Sequence, residues 1–319
     1  MAQSTIGSSA VQHVVSEEEQ VSLLRRVVRS KEAYLILVPT FALVLVFNYY
    51  PAASALFHSV FEWNGANVQR FIGLANFAAI AKDPTLMGSV TNLVKLALFS
   101  LAVNLTFPLL AGALIFHLRD LRLAYFYRVL FVIPLVVPGM VVLGIWKSIY
   151  APNIGLINQL LETVGLGQIA RPWLGDFKLA LYSIMFIGFP WVAGMSTLIY
   201  LAGFQAIPNE LLDAAAIDGA GTWKRFWQVE IPLVMSQIKL IVILTVIGAM
   251  QNFATIMVMT NGGPGVTTMV PGLWLYRNAM YYNKMGYACA IGTALFAITL
   301  TLTYLNMRYL QSSVEFTGV

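Results

Sequence analysis

Residues 211–234 read LLDAAAIDGAGTWKRFWQVEIPLV, with three acids (Asp213, Asp218, Glu230), two bases (Lys224, Arg225), two closely spaced glycines and a proline. Side chains of these types do acid–base, metal or recognition chemistry, and their company decides which. The chain has one cysteine, Cys289, and three scattered histidines, His13, His58 and His117, so disulfide and zinc-type chemistry is not expected. It holds no paired acids, no Cys/His dyad and no phosphate loop of the form GxxxxGK[ST]. No catalytic and no metal-ligating residue is assigned, which leaves recognition as the work of the polar stretch. A second, smaller set of polar groups lies elsewhere. Gln251 and Asn252 are the most polar pair inside any apolar run, and Trp191 in GFPWVAGM at 188–195 offers a stacking face. Amides donate and accept together, which suits recognition of hydroxyl groups.

The elements that position these residues belong in lipid. Of 319 residues, 59% are apolar and only 10% charged, with a mean hydropathy of +0.75. A soluble domain carries about 25% charged residues, so an all-α integral membrane protein is expected. Six apolar runs are long enough for the hydrocarbon core: 33–57, 93–117, 129–150, 179–203, 237–260 and 287–310, none with Asp or Glu. Their prolines and glycines are tolerated where neighbouring helices re-satisfy the backbone. A β-barrel is excluded, because the runs are continuous and do not alternate. Residues 1–32 are polar and hold no cleavable signal, so the first run also serves as the insertion signal.

Basic residues cluster at run ends, which suits topology signals and not a nucleic-acid stripe. Arg119, Arg122 and Arg128 in one short connector, with Lys224 and Arg225 in another, put both connectors and both termini on the cytoplasmic side of the membrane. The division is a cytoplasmic segment 1–32, a transmembrane domain 33–310 with its inner loop at 204–236, and a cytoplasmic tail 311–319. The outer side carries eight bases against four acids (Glu62, Asp83, Glu162, Asp176), which keeps an anionic solute or an acidic partner in view.

Within the inner loop, Asn209 is the expected N-cap of a first helix, with Glu210 in its first turn. LLDAAAI favours helix and presents small alanines, and Gly219 and Gly221 end it with a reversal. Thr222 is the expected cap of a second segment. Trp223, Phe226 and Trp227 form a membrane-interface stripe, and Pro232 opens the next span.

This array resembles the cytoplasmic loop of ABC importer permeases: Glu-Ala-Ala, three residues, Gly, nine residues, Ile-x-Leu-Pro. Here it reads Asp213-Ala214-Ala215, then Gly219, then Val229-Glu230-Ile231-Pro232. FNYYPAASALFHSVFEWN at 47–64, FIGLANFAAI at 71–80, RVLFVIPLVVPGMVVLGIWKSIYAPNIGLIN at 128–158 and TNGGPG at 260–265 look like the maltose- and glycerol-3-phosphate-type group, and within it the first of two permeases. The similarity covers about residues 33 to 310. It implies a type I importer permease fold of six transmembrane helices. It also implies a second, different permease, an ATPase dimer and an extracytoplasmic solute-binding protein as partners, besides membrane lipid and with no nucleic acid. ATP and Mg would sit on the ATPase, with no cofactor on this chain.

Carried over, the ATPase-coupling residues are Glu210, Asp213, Ala214, Ala215, Asp218, Gly219 and Pro232. Sugar contacts in maltose-type relatives come from the fourth and fifth spans, so the pathway residues are Gly188, Trp191, Met195, Gln251 and Asn252. The implied cargo is a sugar, a neutral or acidic oligosaccharide, or a related polyol. The rival readings are a secondary transporter and a channel. They are weakened by the lack of intramembrane carboxylates, of an inverted repeat and of a filter-like loop.

Overall fold

The computed structural model describes residues 31–309. The expected segments 1–32 and 311–319 therefore lie outside the described residues, apart from positions 31 and 32. Contacts divide the chain into two units, one through Ala55 and one from Leu56 onward. In the first unit, α1 (Lys31–Val44) keeps Pro39 in its interior and passes through a π-helical turn (Leu45–Tyr49) into α2 (Tyr50–His58). From Leu35 to His58 this makes a helix of 24 residues, apolar enough to cross a membrane.

The second unit opens with a short hairpin, β1 (Phe61–Trp63) and β2 (Gln69–Phe71), in which Glu62 faces Arg70 and pairs with it at 2.7 Å. Then come α3 (Ala75–Lys82) and α4 (Pro84–Asn104). Asp83 sets the start of α4: its Oδ1 accepts from the amides of Thr85 and Leu86 at 2.9 and 3.1 Å, and Pro84 occupies the first turn. Its Oδ2 accepts from Trp274 Nε1 and Tyr287 OH at 2.7 and 2.9 Å, so one carboxylate joins three helices. Partial burial alone would raise its pKa, but these four donors hold it below the usual carboxylate value.

The chain continues through α5 (Phe107–Phe116), α6 (Leu121–Val136), α7 (Gly139–Ile149), α8 (Leu156–Thr163), α9 (Ala180–Met185) and α10 (Gly194–Gln205). After it come α11 (Asn209–Ile217), α12 (Thr222–Arg225), a π-helical turn (Phe226–Glu230), α13 (Ile231–Leu233), α14 (Met235–Gln251), α15 (Ala254–Met259), α16 (Pro271–Met280) and α17 (Met285–Tyr309). Asp120 caps α6 through the amides of Arg122 and Leu123.

Among the described residues, Leu35–His58, Pro84–Phe116 and Met285–Tyr309 are each long and apolar enough to span a membrane. Two bent pairs reach that standard together: α6 with α7 at 90°, and Thr222–Leu233 with α14 at 66°. The apolar runs expected as continuous helices at 129–150, 179–203 and 237–260 are broken. In the first, Val137 before Pro138 is extended (φ −75°, ψ 125°), because proline disfavours helix at the preceding residue. In the second, residues 186–193 are not helical, and Gly188 and Trp191 have φ of +85° and +60°. In the third, α14 stops at Gln251 and Asn252 turns out of the helix (ψ 85°).

Among the described residues the helices of the second unit meet in three apolar cores, the smallest of Ile115, Ala124 and Leu201. Of the two larger ones, one joins Leu109, Ala113, Tyr200, Phe204, Ile207, Phe226, Val234 and Ile241. The other joins Tyr150, Ile184, Ile256, Met259, Met269, Val270 and Leu273. Gly194 sets the approach of α10 to α6, since a Cβ there would run into the Phe131 carbonyl. Large apolar side chains such as Ile36, Leu114, Val136 and Leu300 remain exposed on the helix surfaces. Soluble monomers do not present apolar surface on that scale, and lipid or partner helices are its natural cover.

Candidate functional site

The loop 204–236 is built in two steps. α11 begins at Asn209 with extended Pro208 (φ −59°, ψ 134°) as its cap residue. Asn209 is thus already helical and not the cap, a shift that follows from proline's fixed φ just before it. Glu210 lies in the first turn, where the helix dipole favours an acid. At the far end the Ala220 amide bonds the Ala215 carbonyl at 2.9 Å and the Gly219 amide bonds Ala216 at 3.1 Å. With Gly219 at φ +76°, this is a Schellman cap. A Cβ on Gly219 would meet nothing within 4 Å, so glycine is required by its backbone and not by space. Gly219→Ala is therefore expected to destabilise the loop by about 1 kcal/mol, and Gly219→Asn by less. Thermal unfolding of the purified variants, or protease sensitivity at the loop, measures the order.

Leu212 packs α11 onto the core around Tyr200 and Phe204. The opposite face is open: Asp213, Ala214, Ala216 and Asp218 are exposed, Ala215 is half-buried, and Ile217 is 87% exposed. Asp213 makes no hydrogen bond or ion pair with any described residue. A carboxylate and a small apolar face presented together suit a partner that brings a donor and tolerates close approach.

Beyond the reversal, Gly221 precedes α12, and Thr222 is its first helical residue, not its cap. Trp223 and Trp227 are exposed as an interface stripe requires, but Phe226 is 7% exposed and belongs to the core. Phe226 and Glu230 bound a π-helical turn and, four residues apart, share the face that turns inward. Pro232 is exposed in the short helix α13, ahead of the bend at Val234, so the next long helix opens at Met235 and not at the proline.

Glu230 is the residue that sequence reasoning missed. Its side chain is wholly buried, and Oε1 accepts from Arg225 Nε and His117 Nε2, each at 3.0 Å. Burial alone would raise its pKa, but His117 and Arg225 hold it below the ordinary carboxylate value. The bond to Glu230 in turn raises the pKa of His117, against partial burial. An acid in a helical segment that also carries a base was the available local signal. Nothing local pointed to His117, 113 positions earlier.

A cavity of about 410 Å³ lies where the broken helices meet. Its lining includes Ser100, Asn104, Gly188, Trp191, Asn252 and Thr255. Trp191 Nε1 donates to the Met185 carbonyl at 3.2 Å, and its ring meets Phe99, Phe107, Phe186 and Phe189 at centroid distances of 4.9 to 5.6 Å. Asn252 Oδ1 accepts from the Thr255 amide at 3.4 Å, which starts α15 after the break. The structure therefore brings Gly188, Trp191 and Asn252 together. Met195 and Gln251 are exposed and do not line this cavity. Asn104 lines it as well; its Oδ1 accepts from Ser196 Oγ at 3.3 Å and its carbonyl from Tyr200 OH at 3.2 Å.

The chain matches the profile of the family described as binding-protein-dependent transport system inner membrane component over residues 104–315. It is 34% identical over 283 residues to the probable ABC transporter permease protein YurN of Bacillus subtilis, covering 88% of this chain and 97% of that one. It is 31% identical over 274 residues to the diacetylchitobiose uptake system permease protein NgcF of Streptomyces coelicolor, covering 83% of this chain and 78% of that one. Its fold is similar to a chain in the crystal structure of a bacterial ABC transporter involved in the import of the acidic polysaccharide alginate. The TM-score is 0.78 at 19% identity, over 91% of this chain and 99% of that one. An exposed acid-and-alanine helix, a cavity among broken apolar helices and the profile match over both lead to one assignment: the chain belongs to the binding-protein-dependent transport system inner membrane component family.

Proposed function

We propose that this chain is one of two different permease subunits in an ATP-driven importer that takes a sugar, an oligosaccharide or a related polyol from an extracytoplasmic binding protein. It sits in the bacterial inner membrane with the 204–236 loop and both termini in the cytoplasm. The observation that carries the reading is the exposed acid-and-alanine face of α11, rooted by Leu212 in the same core as α5 and α10. Such a handle delivers work done elsewhere. The chain has no phosphate loop of its own, so an ATPase dimer holds ATP and Mg²⁺ and does the hydrolysis.

Saccharide cargo is supported by the relatives, of which NgcF is named for diacetylchitobiose uptake and others for sn-glycerol-3-phosphate transport. It fits the cavity too, which Asn104, Asn252 and Trp191 line together.

Reconstitution in proteoliposomes tests the proposal. ATP-driven uptake is expected only when this chain, its partner permease, the ATPase and the binding protein are all present. Solute movement by this chain alone would sink it in favour of a secondary transporter or channel. In the complete system, Asn252→Leu is expected to cut uptake about tenfold without loss of assembly, the scale of one lost hydrogen bond to the cargo. Wild-type uptake by that variant removes Asn252 from the pathway.

A further inference from the structure

We infer that His117 is a positioning residue: with Glu230 and Arg225 it forms the joint that passes movement of the 204–236 loop into α5, and along α5 to the cavity. The inference rests on the permease reading above and adds the route by which the loop acts.

Protonation follows from geometry. His117 Nδ1 lies 2.8 Å from the Ala113 carbonyl, which only accepts, so Nδ1 must donate. Nε2 faces Glu230 Oε1 at 3.0 Å, and that same oxygen already accepts from Arg225 Nε, as an ionised carboxylate does. Both ring nitrogens therefore carry hydrogen, and His117 is an imidazolium. Glu230 is buried, and its Oε2 has no partner among the described residues. Its charge is thus compensated through Oε1 alone, by one cation from its own segment and one from the end of α5. Removing either partner of a buried pair leaves an uncompensated charge, so the joint resists separation more than the apolar contact of Phe226 beside it.

The lever is α5 itself. Its ten residues span about 15 Å. His117 closes one end. Leu109 and Ala113 pack in the core with Tyr200 and Phe204. Just before the other end stands Asn104, which lines the cavity and is bonded by Tyr200 and Ser196 of α10. A pull on Glu230 therefore reaches the polar lining of the cavity through α5, its packing on Tyr200 of α10, and the hydrogen bonds from α10 to Asn104 at the end of α4.

The joint titrates. Among the described residues, the charged groups that face His117 are Glu230 and Arg225. The folded-state pKa of His117 is raised above its ordinary 6.5, so its contribution is full below that value and is lost as pH rises through the folded value. Glu230 is held below its ordinary 4.5, so its contribution is present above that value and is lost as pH falls through the folded one. The joint is closed in the window between.

The test uses the complete importer in proteoliposomes, with uptake per ATP hydrolysed measured from about pH 5 to about pH 9. Wild-type coupling is expected to fall on the alkaline side. His117→Ala and Glu230→Gln are expected to lower uptake per ATP about tenfold, a typical coupling magnitude, while the ATPase still copurifies. His117→Arg, which keeps a cation at every pH, is expected to restore coupling and remove the alkaline fall. A purely structural histidine would not produce that rescue. Wild-type coupling and pH profile in His117→Ala, or no rescue by His117→Arg, overturns the joint alone. Absence of ATP-driven uptake in the wild-type complex overturns the permease reading and the joint with it.

Discussion

Asp213→Lys is expected to abolish ATP-driven uptake while the chain still folds, inserts and pairs with its partner permease. The two halves of that result have separate physical grounds. Asp213 is exposed on α11 and makes no contact that the fold uses. An exposed substitution of this kind changes stability by about 0.5 kcal/mol or less. At a docked interface the same change brings an ammonium where a carboxylate had met a donor. Removing one partner of a desolvated charge pair costs about 2–5 kcal/mol, which is about thirtyfold or more in affinity. Charge reversal adds repulsion to that loss. Copurification of the ATPase with the permease pair measures the affinity, and proteoliposome uptake measures the consequence. Asp213→Glu, which restores the longer acid of the general motif, is expected to retain both. Full ATPase retention by Asp213→Lys would remove this residue from the docking face.

Much of the scaffold behind that face is written locally. α11, its alanine face and its Gly219 reversal follow from residues within one stretch, because capping and helix propensity act over a few positions. The apolar runs show where the long helices lie. They do not show where those helices break. Pro39 stays inside α1, whereas the segment around Gly188 and Pro190 opens into eight non-helical residues. Both prolines remove the same backbone donor, but only the second stands two residues from a glycine in a left-handed conformation, where the helix opens. Phe226 and Glu230 face inward toward partners, the α5–α10 core and His117, that come from far along the chain. His117 is legible only once Glu230 is in place, since their partnership spans 113 positions and exists because α5 ends beside the loop. The cavity shows the same division. Asn252 and Trp191 stand out as polar and aromatic groups in apolar runs, while Asn104 gains its place from the break between α4 and α5.

The backbone at Trp191 yields the second large effect, and its sign is unusual. A bulky residue at φ +60° is a conformational outlier, and strain of this kind concentrates at functional sites. Here the ring supplies the compensation. It meets four phenylalanines, and its indole nitrogen donates to the Met185 carbonyl. Its own amide bonds the Gly188 carbonyl at 2.7 Å, closing the turn that breaks the span.

Trp191→Ala deletes those contacts and keeps the backbone cost, which is about 1–2 kcal/mol for an L-residue in the left-handed region. Trp191→Gly deletes the same contacts and removes that cost. Both variants are expected to lose most uptake, because the ring lines the cavity. In thermal unfolding of the purified permease pair, however, the glycine variant is expected to exceed the alanine variant by about 1 kcal/mol. At an ordinary helical position the order is the reverse, with glycine weaker by roughly 0.5–1 kcal/mol. An alanine variant as stable as the glycine one would mean that the turn at Gly188–Trp191 relaxes without its ring. A clear glycine advantage would show that the left-handed turn persists when the ring is gone, so that the surrounding backbone holds the break in the helix, and the cavity with it.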